Sequence, residues 1–160
     1  MNSISRLMSW KFCIYFSIAV LAALIVFSFY GLYTNKFYFL KPDNYIFPLL
    51  TVAHFTFLYV LWFKITENEM TDPQMRNLEY ALYIIFLLYV FKFLESIYIL
   101  MSYNLYENHI IPKTFLPIGV LILFLHLMLL GLTLLAFYYR KILIGNYRFD
   151  DINRQIDSWE

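Results

Sequence analysis

The sequence predicts an all-α integral membrane protein: a bundle of four transmembrane helices with both termini on the inner side, followed by a short C-terminal amphipathic helix. Three observations lead there. First, the 160-residue chain is 62% apolar and only 14% charged, with a mean hydropathy of +0.64, whereas soluble domains carry about 25% charged residues. Second, four stretches reach the length of about 20 apolar residues needed to cross about 30 Å of hydrocarbon. Third, Lys and Arg are spread unevenly between alternate connections.

The first span is expected over residues 12–33. Arg6 and Lys11 precede an apolar run that is longer than a signal-peptide core and has no polar cleavage segment, so the run reads as retained. The second is expected over 45–63, with Pro48 in its first turn, where a missing N–H costs nothing. The third covers 80–103, and its helix should begin a turn or two earlier, because Asp72 followed by Pro73 supplies a capping carboxylate and a first-turn proline. The fourth covers 115–139. Residues 1–139 thus form one transmembrane domain, and 140–160 form an inner tail in which Phe149, Ile152, Ile156 and Trp159 recur at helical spacing.

Direction follows from the basic residues. With the N-terminus inside, inner segments hold Arg6, Lys11, Lys64, Arg76, Arg140, Lys141, Arg148 and Arg154, and outer loops hold Lys36, Lys41 and Lys113. Eight against three favours N-in and C-in. Trp10, Trp62, Tyr80, Tyr138 and Tyr139 would then line the inner interface, and Tyr30, Tyr33, Tyr45 and Tyr103 the outer one. The expected location is the inner (cytoplasmic) membrane of a bacterium, with both termini cytoplasmic.

Several function classes are excluded by composition. A net charge of +1 offers no basic surplus for a phosphate backbone, which argues against nucleic acid as a partner. A single cysteine, Cys13, cannot make an intrachain disulfide, a CxxC pair or a thiolate zinc site, so four-span thiol oxidoreductases and disulfide-stabilised junction proteins do not fit. The chain has no GxSxG, HExxH or glycine-rich phosphate loop, and no HxxxH or ExxH spacing for a metal, so it is read as non-enzymatic and metal-free.

The chemistry that remains lies inside the spans, where an ionisable residue is expensive and faces inward as a rule. His54, Lys92 and His126 fall near the middle of three different spans, and Glu95 is one turn from Lys92. These four are the expected polar cluster. Lys92 with Glu95 can pair at i, i+3, and Gly119, His126 and Thr133 recur every seven residues on the fourth span, as close helix packing requires.

Three functions are compatible with this pattern. The favoured one is a small non-enzymatic membrane protein that oligomerises or joins a larger membrane complex, using the polar cluster for helix contacts. An alternative is a homo-oligomeric ion channel or permeabilising effector lined by the third helix. A second is a proton-transfer or haem-binding subunit, with His54 and His126 as axial ligands of one b-type haem and Gly119 and Gly131 making room for it; no other cofactor is expected. The partners expected are the lipid bilayer, further copies or other membrane subunits, the last reached through Phe149, Ile152, Ile156 and Trp159, because a tail of net charge −3 from Asp150 to Glu160 is repelled by an anionic leaflet.

Overall fold

A computed structural model describes residues 9–106 and 111–147. The predicted tail contacts Phe149, Ile152, Ile156 and Trp159 lie outside the described residues. The chain is mostly helical, with four helices long and apolar enough to cross a membrane. They are α1 (Trp10–Ser28), α2 (Ile46–Glu67), α3 (Pro73–Met101) and α4 (Phe115–Tyr139). A two-residue hairpin joins α1 to α2, with β1 (Tyr30–Gly31) antiparallel to β2 (Lys36–Phe37), and is followed by a 3₁₀ turn, Pro42–Tyr45.

The helix ends have local causes. The first helix closes at Ser28, earlier than the span expected to Tyr33, because Phe29 and Tyr30 enter the hairpin instead: the Tyr38 N–H bonds to the Phe29 carbonyl at 2.8 Å, and Asn35 takes a left-handed φ of 52° to turn the chain. Ser28 fastens this corner, donating to the Ile25 carbonyl and lying 3.2 Å from that of Asn44. Asn68 ends α2 in the left-handed conformation that side-chain amides tolerate. The Asp72 signal works as expected, its carboxylate accepting the Met75 N–H at 2.6 Å with Pro73 at the first helical position. The fourth helix runs on into a π-helical turn, Arg140–Ile144, which Gly145 terminates at a φ of 103°.

Packing runs round a ring. The fourth helix touches both α1 and α3, and α2 touches both from the other side. The buried stripes follow helical spacing: Cys13, Ser17, Val20, Leu21 and Leu24 on α1, His54, Phe57, Leu58 and Leu61 on α2, Leu82, Ile85 and Tyr89 on α3, and His126, Leu129, Thr133 and Ala136 on α4. Gly119 admits close approach, since a Cβ there would stand 2.7 Å from Cδ2 of Leu100. Gly131 has no such neighbour.

The core is apolar, but so is much of the surface, unlike that of a soluble protein. Ser17, Thr51, His54 and Thr133 are fully buried, whereas Ile84, Leu87, Phe91, Phe124 and Leu134 are more than half exposed. Every Ser and Thr within the four helices donates to its own helix: Ser17 to Cys13, Ser28 to Ile25, Thr51 to Pro48, Thr56 to Val52, Thr66 to Trp62, Ser96 to Lys92 and Thr133 to Leu129. A hydroxyl bonded three or four residues back needs no water, which suits a helix with apolar surroundings on both faces.

At the end of the array that carries the α2–α3 connection, expected from the sequence to be the inner one, two ion pairs clamp the helices, and the sequence reading anticipated neither. Glu79, fully buried on α3, accepts from Arg140 at 2.7 Å, from Tyr83 at 2.6 Å and from Tyr147. Arg140 in turn reaches the Gly145 carbonyl at 3.1 Å and lies over the Tyr147 ring. Burial, and then donation to the Glu79 carboxylate, holds the Tyr147 phenol well above its ordinary range. Beside this, Lys64 at the end of α2 is almost buried and meets Asp72 at 2.7 Å and Glu69 at 3.3 Å. Basic residues at the C-termini of α2 and α4 also complement the helix dipoles.

Two predictions follow from these clamps. Glu79→Gln leaves Arg140 without its counter-charge in a desolvated site and should cost about 3 kcal/mol of stability; Glu79→Leu with Arg140→Leu should cost clearly less, as read by thermal unfolding in detergent. For Asp72, burial works to raise the pKa, but the Lys64 ammonium and the Met75 N–H outweigh it, and the carboxyl sits below its ordinary value. A depressed pKa contributes stability that is complete above the ordinary carboxylate range, about 4, and is lost as pH falls through the folded value. The melting temperature should therefore fall on acidification below about pH 4, and Asp72→Asn should flatten that part of the profile.

Candidate functional site

The half of the ring next to the α1–α2 hairpin, expected from the sequence to be the outer half, is less filled than the other. It encloses a cavity of about 410 Å³, within the range of small-molecule sites. Its apolar walls include Leu24, Phe27, Phe47, Ile99 and Ile122; Lys41, Asp43 and Asn44 stand where the 3₁₀ turn meets it, and Lys92, Glu95, Ser96 and His126 lie deepest along α3 and α4. Both Ile99 to Lys92 and Gly119 to His126 span seven residues, so the cavity runs about 10 Å along the helices.

Three of the four predicted polar residues meet here, and the fourth does not. Lys92 donates to Oε2 of Glu95 at 2.6 Å, and the two side chains remain 46% and 41% exposed. The Ser96 hydroxyl donates to the Lys92 carbonyl at 2.9 Å and lies 3.4 Å from Nδ1 of His126. The same Nδ1 is 3.0 Å from the Ile122 carbonyl, which can only accept, so Nδ1 carries the proton and Nε2 is left as an acceptor. His54 sits a layer further in, fully buried and outside the cavity, with Nδ1 3.2 Å from the Tyr89 hydroxyl. Its Nε2 has no hydrogen-bond partner among the described residues.

The two histidines are linked through rings instead of facing a shared space. His54 stacks on Tyr89 at 5.8 Å, Tyr89 packs on Phe47 at 5.7 Å, and Phe47 meets His126 edge-on at 6.3 Å. A haem held by both imidazoles would have to displace these buried rings. No group of three or more His, Cys, Asp or Glu capable of holding a metal ion occurs among the described residues.

Inward of the cavity the array is solid. Tyr89, Phe57, Leu58, Leu82 and Leu129 are each at most 1% exposed, so the polar lining does not continue through a single chain. The ion pairs of Glu79 with Arg140 and of Lys64 with Asp72 lie beyond this layer and form a separate polar region. The cavity itself was only half visible in sequence: the polar sector of α3 was legible, but the 3₁₀ turn that brings Lys41, Asp43 and Asn44 against it was not.

No known protein-family model, curated protein or solved structure matches the chain. The site is therefore interpreted from its own geometry.

The His54–Tyr89 contact can be tested directly. Tyr89→Phe leaves both imidazole nitrogens of a buried histidine unpaired and should cost about 1 kcal/mol in thermal stability. Adding His54→Leu removes the orphaned groups and should restore part of the loss; a Tyr89→Phe protein as stable as the parent would show that the contact contributes nothing.

Proposed function

We propose that the chain is a small non-enzymatic protein of the membrane, inserted as a four-helix bundle with both termini inside, whose work is to hold a small guest molecule in its outer-half cavity. The observation that carries this reading is the Lys92–Glu95 pair. A charge near the middle of a spanning helix costs about 3 kcal/mol when nothing answers it, yet this pair is satisfied only along its own helix and is left partly uncovered beside a cavity. A pair that served packing alone would be expected to reach a second helix, as Glu79 does with Arg140.

Insertion is supported by the four apolar spans, the exposed large apolar side chains and the self-bonded hydroxyls. The inside-positive distribution of Lys and Arg supports the direction. A second reading keeps the same pair but covers it from outside: assembly with further copies or other subunits, where the uncovered faces of Lys92 and Glu95 meet a neighbour. A conducting path would then run between copies, because the inner half of each chain is packed with apolar side chains.

Native mass spectrometry of the protein released from nanodiscs separates these readings. The proposal predicts one chain carrying a noncovalent adduct, and loss of that adduct in Ile122→Phe, which fills the cavity, and in the double variant Lys92→Leu with Glu95→Leu. A bare chain in the parent protein would overturn it. A particle of several chains that dissociates in the double variant would establish the second reading instead.

A further inference from the structure

We infer that the cavity selects a zwitterion with an apolar body, its primary ammonium taken by Glu95 and His126 and its anionic group by Lys92. The inference rests on the proposal that the cavity holds a guest, and it fixes the chemistry of that guest. The shared chemistry has two sources, an aminophospholipid headgroup and a free amino acid with an apolar side chain.

Charge balance is the first argument. The lining carries two cations, Lys41 and Lys92, and two anions, Asp43 and Glu95, arranged as one pair at the turn, 3.7 Å apart, and one pair deep, 2.6 Å apart. A ligand with net charge would leave a surplus in surroundings that screen it poorly. A ligand with both charges leaves none.

Hydrogen-bond capacity is the second. An ammonium has three donors, and Lys92 uses one of them, on Glu95. Glu95 receives that bond on Oε2, and its Oε1 remains able to accept. Nε2 of His126 is an acceptor because Nδ1 donates to Ile122. The deep end of the cavity therefore offers two acceptors suited to an ammonium beside donors suited to a carboxylate or phosphate. Charge-assisted bonds of this kind are the strong ones.

Shape is the third. Leu24, Phe27, Phe47, Ile99 and Ile122 give the deep polar group an apolar surround, so a bare salt or a hydrophilic zwitterion would leave most of the wall unsatisfied. A volume of about 410 Å³ corresponds to about fourteen water volumes, enough for a headgroup or an amino acid and too little for two complete acyl chains.

The test is the shift in melting temperature of the purified full chain in detergent on adding each of four probes: leucine, lysophosphatidylethanolamine, lysophosphatidylglycerol and lysophosphatidylcholine. A ligand that binds only the folded protein raises its stability in proportion to the logarithm of its saturation. Lysophosphatidylethanolamine should stabilise the protein, whereas lysophosphatidylglycerol, which lacks the ammonium, and lysophosphatidylcholine, which lacks its N–H donors, should do so at least tenfold more weakly by concentration. Stabilisation by leucine as well would identify a free amino acid as the source; stabilisation by the ethanolamine lipid alone would identify a lipid. Glu95→Gln keeps the shape of the site and should remove the ethanolamine preference, whereas Lys92→Met should weaken the response to all three lipids alike, because each carries the phosphate. Equal response of the parent protein to all three lipids, an unchanged preference in Glu95→Gln, or an undiminished response in Lys92→Met would overturn the inference. If an adduct is present in the native mass spectrum and yet the probes fail, the class of guest is wrong while the cavity's role stands; if the adduct itself is absent, the role fails.

Discussion

Internal satisfaction of polar groups is the constraint on which the rest of the structure depends. The helices turn Ile84, Leu87, Phe91 and Phe124 outward, so their polar side chains stand in an apolar surround, where a partner within the chain takes the place of water. The hydroxyls do so by bonding back along their own helices. Glu79 and Arg140 do so across two helices, and Tyr83 and Tyr147 complete the carboxylate. Because those partners come from α3, α4 and the chain beyond α4, satisfying one buried acid fixes the relative position of all three. Lys64 and Asp72 repeat the device between α2 and the start of α3.

Against that background the outer half differs in kind. Lys92 and Glu95 meet only each other, one turn apart on a single helix, and the space next to them is lined by side chains from all four helices. One half is thus a clamp, and the other is left open around the cavity. A clamp that holds three helices at one end allows the other end to remain open without the array losing its registry. His126 stands at the deep end of the cavity, its ring anchored to the Ile122 carbonyl while its second nitrogen is left for another partner.

The sequence made some of this legible and hid the rest for identifiable reasons. Span length and apolar content carried the four helices, and α4 runs over the residues predicted for it, 115–139. The heptad of Gly119, His126 and Thr133 marked its inner face, and all three lie there. Lys92, Glu95 and His126 were visible because a charge or an imidazole inside an apolar run stands out. Glu79, Arg140 and Lys64 were not, because each lies one residue beyond a predicted span end, where a charge is ordinary. Helix ends are the least certain part of such a reading, and here the buried pairs sit at those ends. Phe29 to Tyr33 misled in the opposite way: an apolar aromatic run prolongs a span by hydropathy, but aromatic side chains also favour strand pairing, and Ser28 with Asn35 supplied the turn. His54 stood out equally well and still fell outside the cavity, because hydropathy gives depth and not direction.

The central claim, resting on the proposed insertion and direction, is that a polar cavity reaches from the outer surface to the depth of Lys92, and its most direct measurement is the labelling of a cysteine placed there. In a Cys13→Ser background, Ser96→Cys on intact spheroplasts should react with a membrane-impermeant maleimide added outside, while Leu58→Cys, in the packed inner layer, should not. Labelling of Ser96→Cys only after the membrane is permeabilised, or of both positions alike, would contradict the account.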